Sequence, residues 1–221
     1  MKNKQIGRML GLGLLLALPY SVSAATITNG SFTAGVGHLD GWAALTNDTG
    51  SITATGDGTV ILATGTGSSS SIPATLVQGD DGSFSFSHPL VITSNDLSLN
   101  FNAVFSQTPI SGATTLKPLD EVFNVWLYDA NSPASYLLTS IDASTKVSSF
   151  SFGLSAYQGL SVALSFELNH NFDGYTSQVA LSNVGISSAV PEAETGLLLL
   201  SGLAGVMGYS RKLNRKQQNK S

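Results

Sequence analysis

Leu160, Val162, Leu164, Phe166 and Leu168 alternate strictly with Ser161, Ala163, Ser165 and Glu167. A repeat of two places every apolar side chain on one face of an extended strand and is incompatible with the 3.6-residue stripe of an amphipathic helix. Leu97, Leu99, Phe101, Ala103 and Phe105 repeat the pattern against Ser98, Asn100, Asn102 and Val104. Val122 to Tyr128 is apolar at both parities, as in a strand covered on each side. Shorter strand candidates are Ser51–Thr55, Thr59–Ala63, Ser83–Ser87, Tyr136–Ile141 and Val147–Phe152. Gly- and Asp-rich turns such as Gly56-Asp57-Gly58 and Phe172-Asp173-Gly174 separate them. No convincing helical stripe occurs between Ala25 and Ser188. Many short strands joined by such turns predict an all-β fold, a single antiparallel β-sandwich over 25–188. Leu160, Val162, Leu164, Phe166, Trp42 and Phe101 are its expected interior.

The last strand changes phase. Val179 and Leu181 occupy odd positions, Val184 and Ile186 even ones. One extra residue near Ser182-Asn183 returns both pairs to the core, which predicts a β-bulge. Gly65 to Ser71 is a small-residue tract suited to a loop; it lacks the lysine and following helix of a phosphate-binding loop.

The chain of 221 residues contains no cysteine. Disulfides, thiolate metal sites and thiol nucleophiles are therefore excluded. Charge is segregated. Between Ala25 and Ser188 two lysines, Lys117 and Lys146, face twelve carboxylates, a formal charge of −10, while eight of the ten basic residues lie at the two ends. A domain of that sign repels phosphate backbones, so nucleic acid is not an expected partner.

The ends read as export signals. Lys2, Lys4 and Arg8 precede an apolar run of ten residues, Met9 to Leu18; Pro19 and the small residues of Val22-Ser23-Ala24-Ala25 follow. This is the order of a secretory signal peptide, expected over 1–24 as a helix in the precursor, with signal peptidase cutting after Ala24 or Ala25. At the other end stand Val190-Pro191-Glu192, an apolar run from Leu197 to Tyr209, and the basic cluster Arg211, Lys212, Arg215 and Lys216. A helix from Thr195 to Ser210 would be roughly 24 Å long, short of a hydrocarbon core of about 30 Å. The basic cluster resists translocation and keeps that end on the cytoplasmic side. A short transmembrane helix in an inner-membrane precursor is the expectation, with a polar tail at 217–221.

Val190-Pro191-Glu192, the Gly/Leu-rich apolar run and the terminal Arg/Lys cluster together resemble a PEP-CTERM sorting signal, here spanning 189–216. The usual third residue, proline, is Ala193 in this chain. The resemblance implies an exosortase-like membrane protease as partner. It also implies a Gram-negative host that makes exopolysaccharide, and a final address at the cell surface or in the extracellular matrix.

Two further segments resemble carbohydrate-binding jelly rolls. Asn29-Gly30-Ser31-Phe32 with Leu39-Asp40-Gly41-Trp42 looks like the opening of such modules, in which the tryptophan plugs the sandwich. Asp173 to Val184 looks like their closing strand. There the family often carries an aspartate that ligates a structural calcium; this chain has Ser182 at that place. The resemblance implies a jelly-roll-like sandwich and leaves calcium an open question.

Candidate chemistry is sparse. His38, His88 and His170 show no metal-ligand spacing. No serine sits in a G-x-S-x-G elbow. Asp80-Asp81 and Asp120-Glu121 are adjacent in sequence, and neighbours on a strand point to opposite faces, so neither is a glycosidase pair. In turns they could hold calcium through oxygen, or simply be solvated. No catalytic residue and no cofactor are assigned. Among the aromatic residues, Trp42 and Trp126 are assigned to the core. Tyr157 and Tyr175, beside glycine-containing turns, are the candidate ligand-binding residues. Three functions remain open: a non-enzymatic surface or matrix protein linked to exopolysaccharide or biofilm, a carbohydrate-binding module, and a secreted hydrolase.

Overall fold

The computed structural model describes residues 25–46, 49–65, 73–78, 89–110, 121–169 and 175–188. The expected terminal helices, the sorting motif, the strand at 83–87 and the Gly65-to-Ser71 tract beyond Gly65 lie outside these residues. Among the described residues no helix is long and apolar enough to cross a membrane.

Eleven strands are described: β1 (Trp42–Leu45), β2 (Ser51–Ala54), β3 (Thr59–Ala63), β4 (Ala74–Gln78), β5 (Leu90–Val91), β6 (Asp96–Pro109), β7 (Phe123–Asp129), β8 (Ser135–Ile141), β9 (Ser149–Gly153), β10 (Ser161–Leu168) and β11 (Tyr175–Ser188). They form two sheets in which every pairing is antiparallel. One runs β1-β4-β10-β7-β8, with β5 also against β10; the other runs β2-β3-β11-β6-β9. The antiparallel β-sandwich expected from the alternating runs is the fold. Neighbours in each sheet are mostly distant in sequence, so the sheets are assembled by crossovers between them rather than by consecutive hairpins.

Five of the six residues predicted for the interior are buried. Val162, Leu164, Phe166, Trp42 and Phe101 are buried, and Leu160 packs against the core from just before β10. Phe166 joins the sheets. Its ring meets Phe101 of the opposite sheet edge-on at 5.3 Å, lies parallel to Phe123 at 5.9 Å, and touches Trp42 at 5.9 Å. Such contacts add to the transfer free energy of burying large rings. β4 was not legible as a strand because all five of its residues are buried; a strand covered on both faces loses the alternation that marks one.

The opening motif is a plug. Asn29 has φ 49°. Its Oδ1 accepts the backbone N–H groups of Thr33 and Ala34 at 2.9 and 3.0 Å. Its Nδ2 donates to the carbonyls of His38 and Ala34 at 2.9 and 3.2 Å. The loop so folded drives Phe32 and Trp42 inward, their rings 5.3 Å apart, and Trp42 Nε1 donates to the Asn29 carbonyl at 3.2 Å. Gly30 is required because a Cβ there would lie 1.8 Å from the Val184 carbonyl oxygen.

The expected bulge is present. Register between β11 and β6 shifts between Ser182 and Gly185, and Asn183 adopts φ 55°. The irregularity turns the Val184 N–H out of the ladder to the Gly30 carbonyl, 2.9 Å away. The phase change in the last strand and the glycine of the first motif are thus two halves of one contact.

Candidate ligand-binding face

The six-stranded sheet has a second face, and β7 and β10 shape it. On β7, Phe123, Val125 and Leu127 enter the core while Asn124, Trp126 and Tyr128 take the opposite parity. On β10, Ala163, Ser165 and Glu167 share that outward face. Trp126 is half-buried and stands outside the core cluster. Its assignment to the core is therefore corrected: an apolar residue at even parity on a strand whose odd positions already fill the interior has only the outer face left.

In the β7–β10 register Tyr128 stands opposite Ala163 and Trp126 opposite Ser165. Glu167 lies four residues along β10 from Ala163, roughly 13 Å at about 3.3 Å per residue. Yet the Tyr128 hydroxyl donates to Glu167 Oε1 at 2.7 Å. Two side chains can span that distance only by lying down along the sheet toward each other. Small residues between them, Ala163 and Ser165, leave the room, and both are fully buried. The Ser165 hydroxyl donates to the same Oε1 at 3.0 Å. The Tyr128 ring so laid is nearly parallel to that of Trp126, at 24° with centroids 6.1 Å apart. The result is a pair of near-parallel aromatic rings with a carboxylate at one end.

Around it the face is mixed. Leu137 of β8, the register partner of Trp126, is 46% exposed and extends the apolar strip. The Ser140 hydroxyl donates to Asn124 Oδ1 at 2.6 Å and forms a polar margin. Burial first, then the hydrogen bond and negative charge of Glu167, push the Tyr128 phenol well above the ordinary tyrosine range. It stays a neutral donor at any physiological pH.

The two candidates named from sequence lie elsewhere. Tyr157 ends a short 3-10 turn, Ser155–Tyr157, is half-buried, and packs its ring on Tyr136 at 5.3 Å. Tyr175 opens β11, half-buried, opposite Pro109 at the end of β6. Leu154, just before Tyr157, is bonded to Leu97 near the other end of β6. The two tyrosines are therefore separated by most of the length of that strand, on the order of 40 Å, and form no common site. Neither belongs to a strand that carries the Trp126–Tyr128 surface.

Among the described residues no three His, Asp or Glu side chains gather as metal ligands. Glu121 is fully buried, and Asp80, Asp81, Asp120 and Asp173 lie outside the described residues. Asp129 holds a turn, accepting Asn131 N–H at 2.9 Å and the Ser132 hydroxyl at 2.8 Å; the first of these chiefly keeps its carboxyl below the ordinary range.

No protein-family model matches the chain, and none of the curated proteins matches it. Solved structures do. One is a mutant of the carbohydrate-binding module CBM29-2 complexed with cellulohexaose, at a TM-score of 0.43 and 11% identity over 74% of this chain and 91% of that one. A family 29 carbohydrate-binding module is similar at 0.42 and 10%, covering 74% and 86%. A CBM4 structure is similar at 0.39 and 15%, covering 68% and 96%. No residue role passes to this chain from these likenesses.

Proposed function

We propose that the chain is a non-catalytic, exported carbohydrate-binding protein whose outer sheet face, centred on Trp126 and Tyr128, holds a polysaccharide chain outside the cell. The observation that carries this is the laid-down aromatic pair. Sugar rings present apolar C–H faces that stack on flat aromatic surfaces, and their hydroxyls need hydrogen-bonding groups at the margin. Trp126, Tyr128 and Leu137 supply the first; Glu167, Asn124 and Ser140 supply the second. On the outward parity of the described strands β7 and β10, Glu167 is the one carboxylate, where glycoside hydrolysis uses two.

Export belongs to the same proposal. The signal at 1–24 and the PEP-CTERM-like tail at 189–216 would bring the domain to the envelope, with an exosortase-like protease acting near Val190-Pro191-Glu192. Exopolysaccharide made by the same cell is then the natural ligand.

Affinity electrophoresis of the exported protein through gels containing bacterial exopolysaccharide or plant glucans and mannans tests this. Retardation by at least one polysaccharide is expected. Trp126→Ala should weaken it by tenfold or more, roughly 1.4 kcal/mol, whereas Tyr157→Phe and Tyr175→Phe should leave it unchanged. Mobility unaffected by every polysaccharide, or binding that survives loss of Trp126 and fails with either tyrosine change, overturns the proposal.

A further inference from the structure

Asp96 is 1% exposed at the start of β6. The Thr93 N–H and hydroxyl donate to its Oδ2 at 2.6 and 2.9 Å. Its Oδ1 takes the backbone N–H of Ala25 at 2.9 Å, across 71 residues of sequence. All three donors are neutral. Among the described residues the only Lys, Arg or His side chains are Lys146 and His38. Lys146 is exposed, and the His38 ring nitrogen Nδ1 sits 3.1 Å from the Thr33 carbonyl. Neither is a hydrogen-bonding partner of Asp96. A buried carboxylate is costly to hold without a cation.

Ala25 is also one of the two positions at which the mature chain is expected to begin. We propose that Asp96 is the receptor for the amino terminus released when the Ala24–Ala25 bond is cut, so that signal removal converts a neutral hydrogen bond into a partly buried ion pair. Water adds across the peptide bond. The Ala24 carbonyl carbon takes the hydroxyl and leaves as a carboxylate; the Ala25 nitrogen takes the protons and becomes an ammonium. That nitrogen already lies at hydrogen-bonding distance from Oδ1, so the charge appears where the carboxylate is waiting. Charge-assisted hydrogen bonds of this kind are about twice as strong as neutral ones. The proposal requires the first of the two cleavage points, after Ala24. Cutting after Ala25 would remove the donor and start the chain at Thr26.

The same residue touches the other boundary. Ser188 at the end of β11 is the register partner of Asp96. The ion pair would therefore fasten the new amino terminus beside the strand end that leads to the tail.

N-terminal sequencing of the exported protein should read Ala25. Its α-amine should then react with an acetylating reagent near neutral pH at least tenfold more slowly than in Asp96→Asn, followed by mass spectrometry of the N-terminal peptide. Because Asp96→Asn also disturbs the Thr93 contacts and could impair folding, a second variant inserts one glycine between Ala25 and Thr26. It keeps Asp96 and displaces the amine by one residue, and its amine should react as fast as a free terminus. A chain that begins at Met1 or Thr26 overturns the proposal. So does an α-amine that reacts equally fast in the wild type and in the glycine-insertion variant.

Discussion

The Tyr128 hydroxyl reaches Glu167 Oε1 at 2.7 Å although the two residues stand four rows apart in the β7–β10 register. This contact flattens the tyrosine onto its sheet and makes an aromatic surface out of a side chain that would otherwise project. Its orientation follows from that carboxylate; its weakened acidity follows first from burial and then from the same carboxylate.

That coupling sets a titration. With burial and Glu167 both favouring the neutral phenol, Tyr128 should remain protonated when ordinary tyrosines ionise near pH 10. The sign is definite. As pH rises through that value the unfolded chain ionises Tyr128 first, so the folded state loses stability from there upward until its own phenol ionises. Ultraviolet titration should show one late phase that Tyr128→Phe deletes. Glu167→Gln should move it down, yet leave it above the ordinary value, since burial is the larger cause. A late phase that survives in Tyr128→Phe would assign it to another tyrosine.

Phe166 is the ring through which the two sheets meet. Phe166→Ala removes its contacts with Phe101, Phe123 and Trp42 together. The expected loss is about 3–5 kcal/mol, the range for emptying a buried aromatic site. Phe166→Leu, which retains more volume, should cost clearly less. Urea denaturation of both variants measures this. A loss below about 1 kcal/mol for alanine, the size of an average substitution, would show that the sheets are coupled elsewhere.

Asn29 carries four hydrogen bonds from one side chain while holding a left-handed backbone. Asn29→Ala should lower stability by about 2 kcal/mol or more, at roughly 0.5–1.5 kcal/mol for each bond. Asn29→Gly relieves the backbone at φ 49° but restores no bond. It should therefore recover only part of the loss. Thermal melts of the three chains decide it; equal melting temperatures for Asn29→Gly and wild type would mean that the side-chain bonds contribute no more than the backbone strain that glycine relieves.

What the sequence determined by itself was local and periodic. The alternation from Leu160 to Leu168 specifies a half-buried strand, because period 2 is a property of the backbone alone. The phase change after Leu181 specifies a bulge for the same reason. The Asn29-Gly30-x-Phe32 motif was legible through its resemblance to the opening of jelly-roll modules; its hydrogen bonds reach as far as His38 and Trp42. The missing cysteines and the acidic balance excluded whole classes of chemistry. The tertiary structure decided everything that depends on which strands become neighbours. Trp126 and Tyr128 form a surface only because β10 lies beside β7 and brings Ala163, Ser165 and Glu167 to their face. Asp96 meets Ala25 across 71 residues, and Val184 meets Gly30 through the bulge. Pattern along one strand reports which face is apolar. It carries no information about the partner strand, since the ladder joins backbone groups that every residue shares.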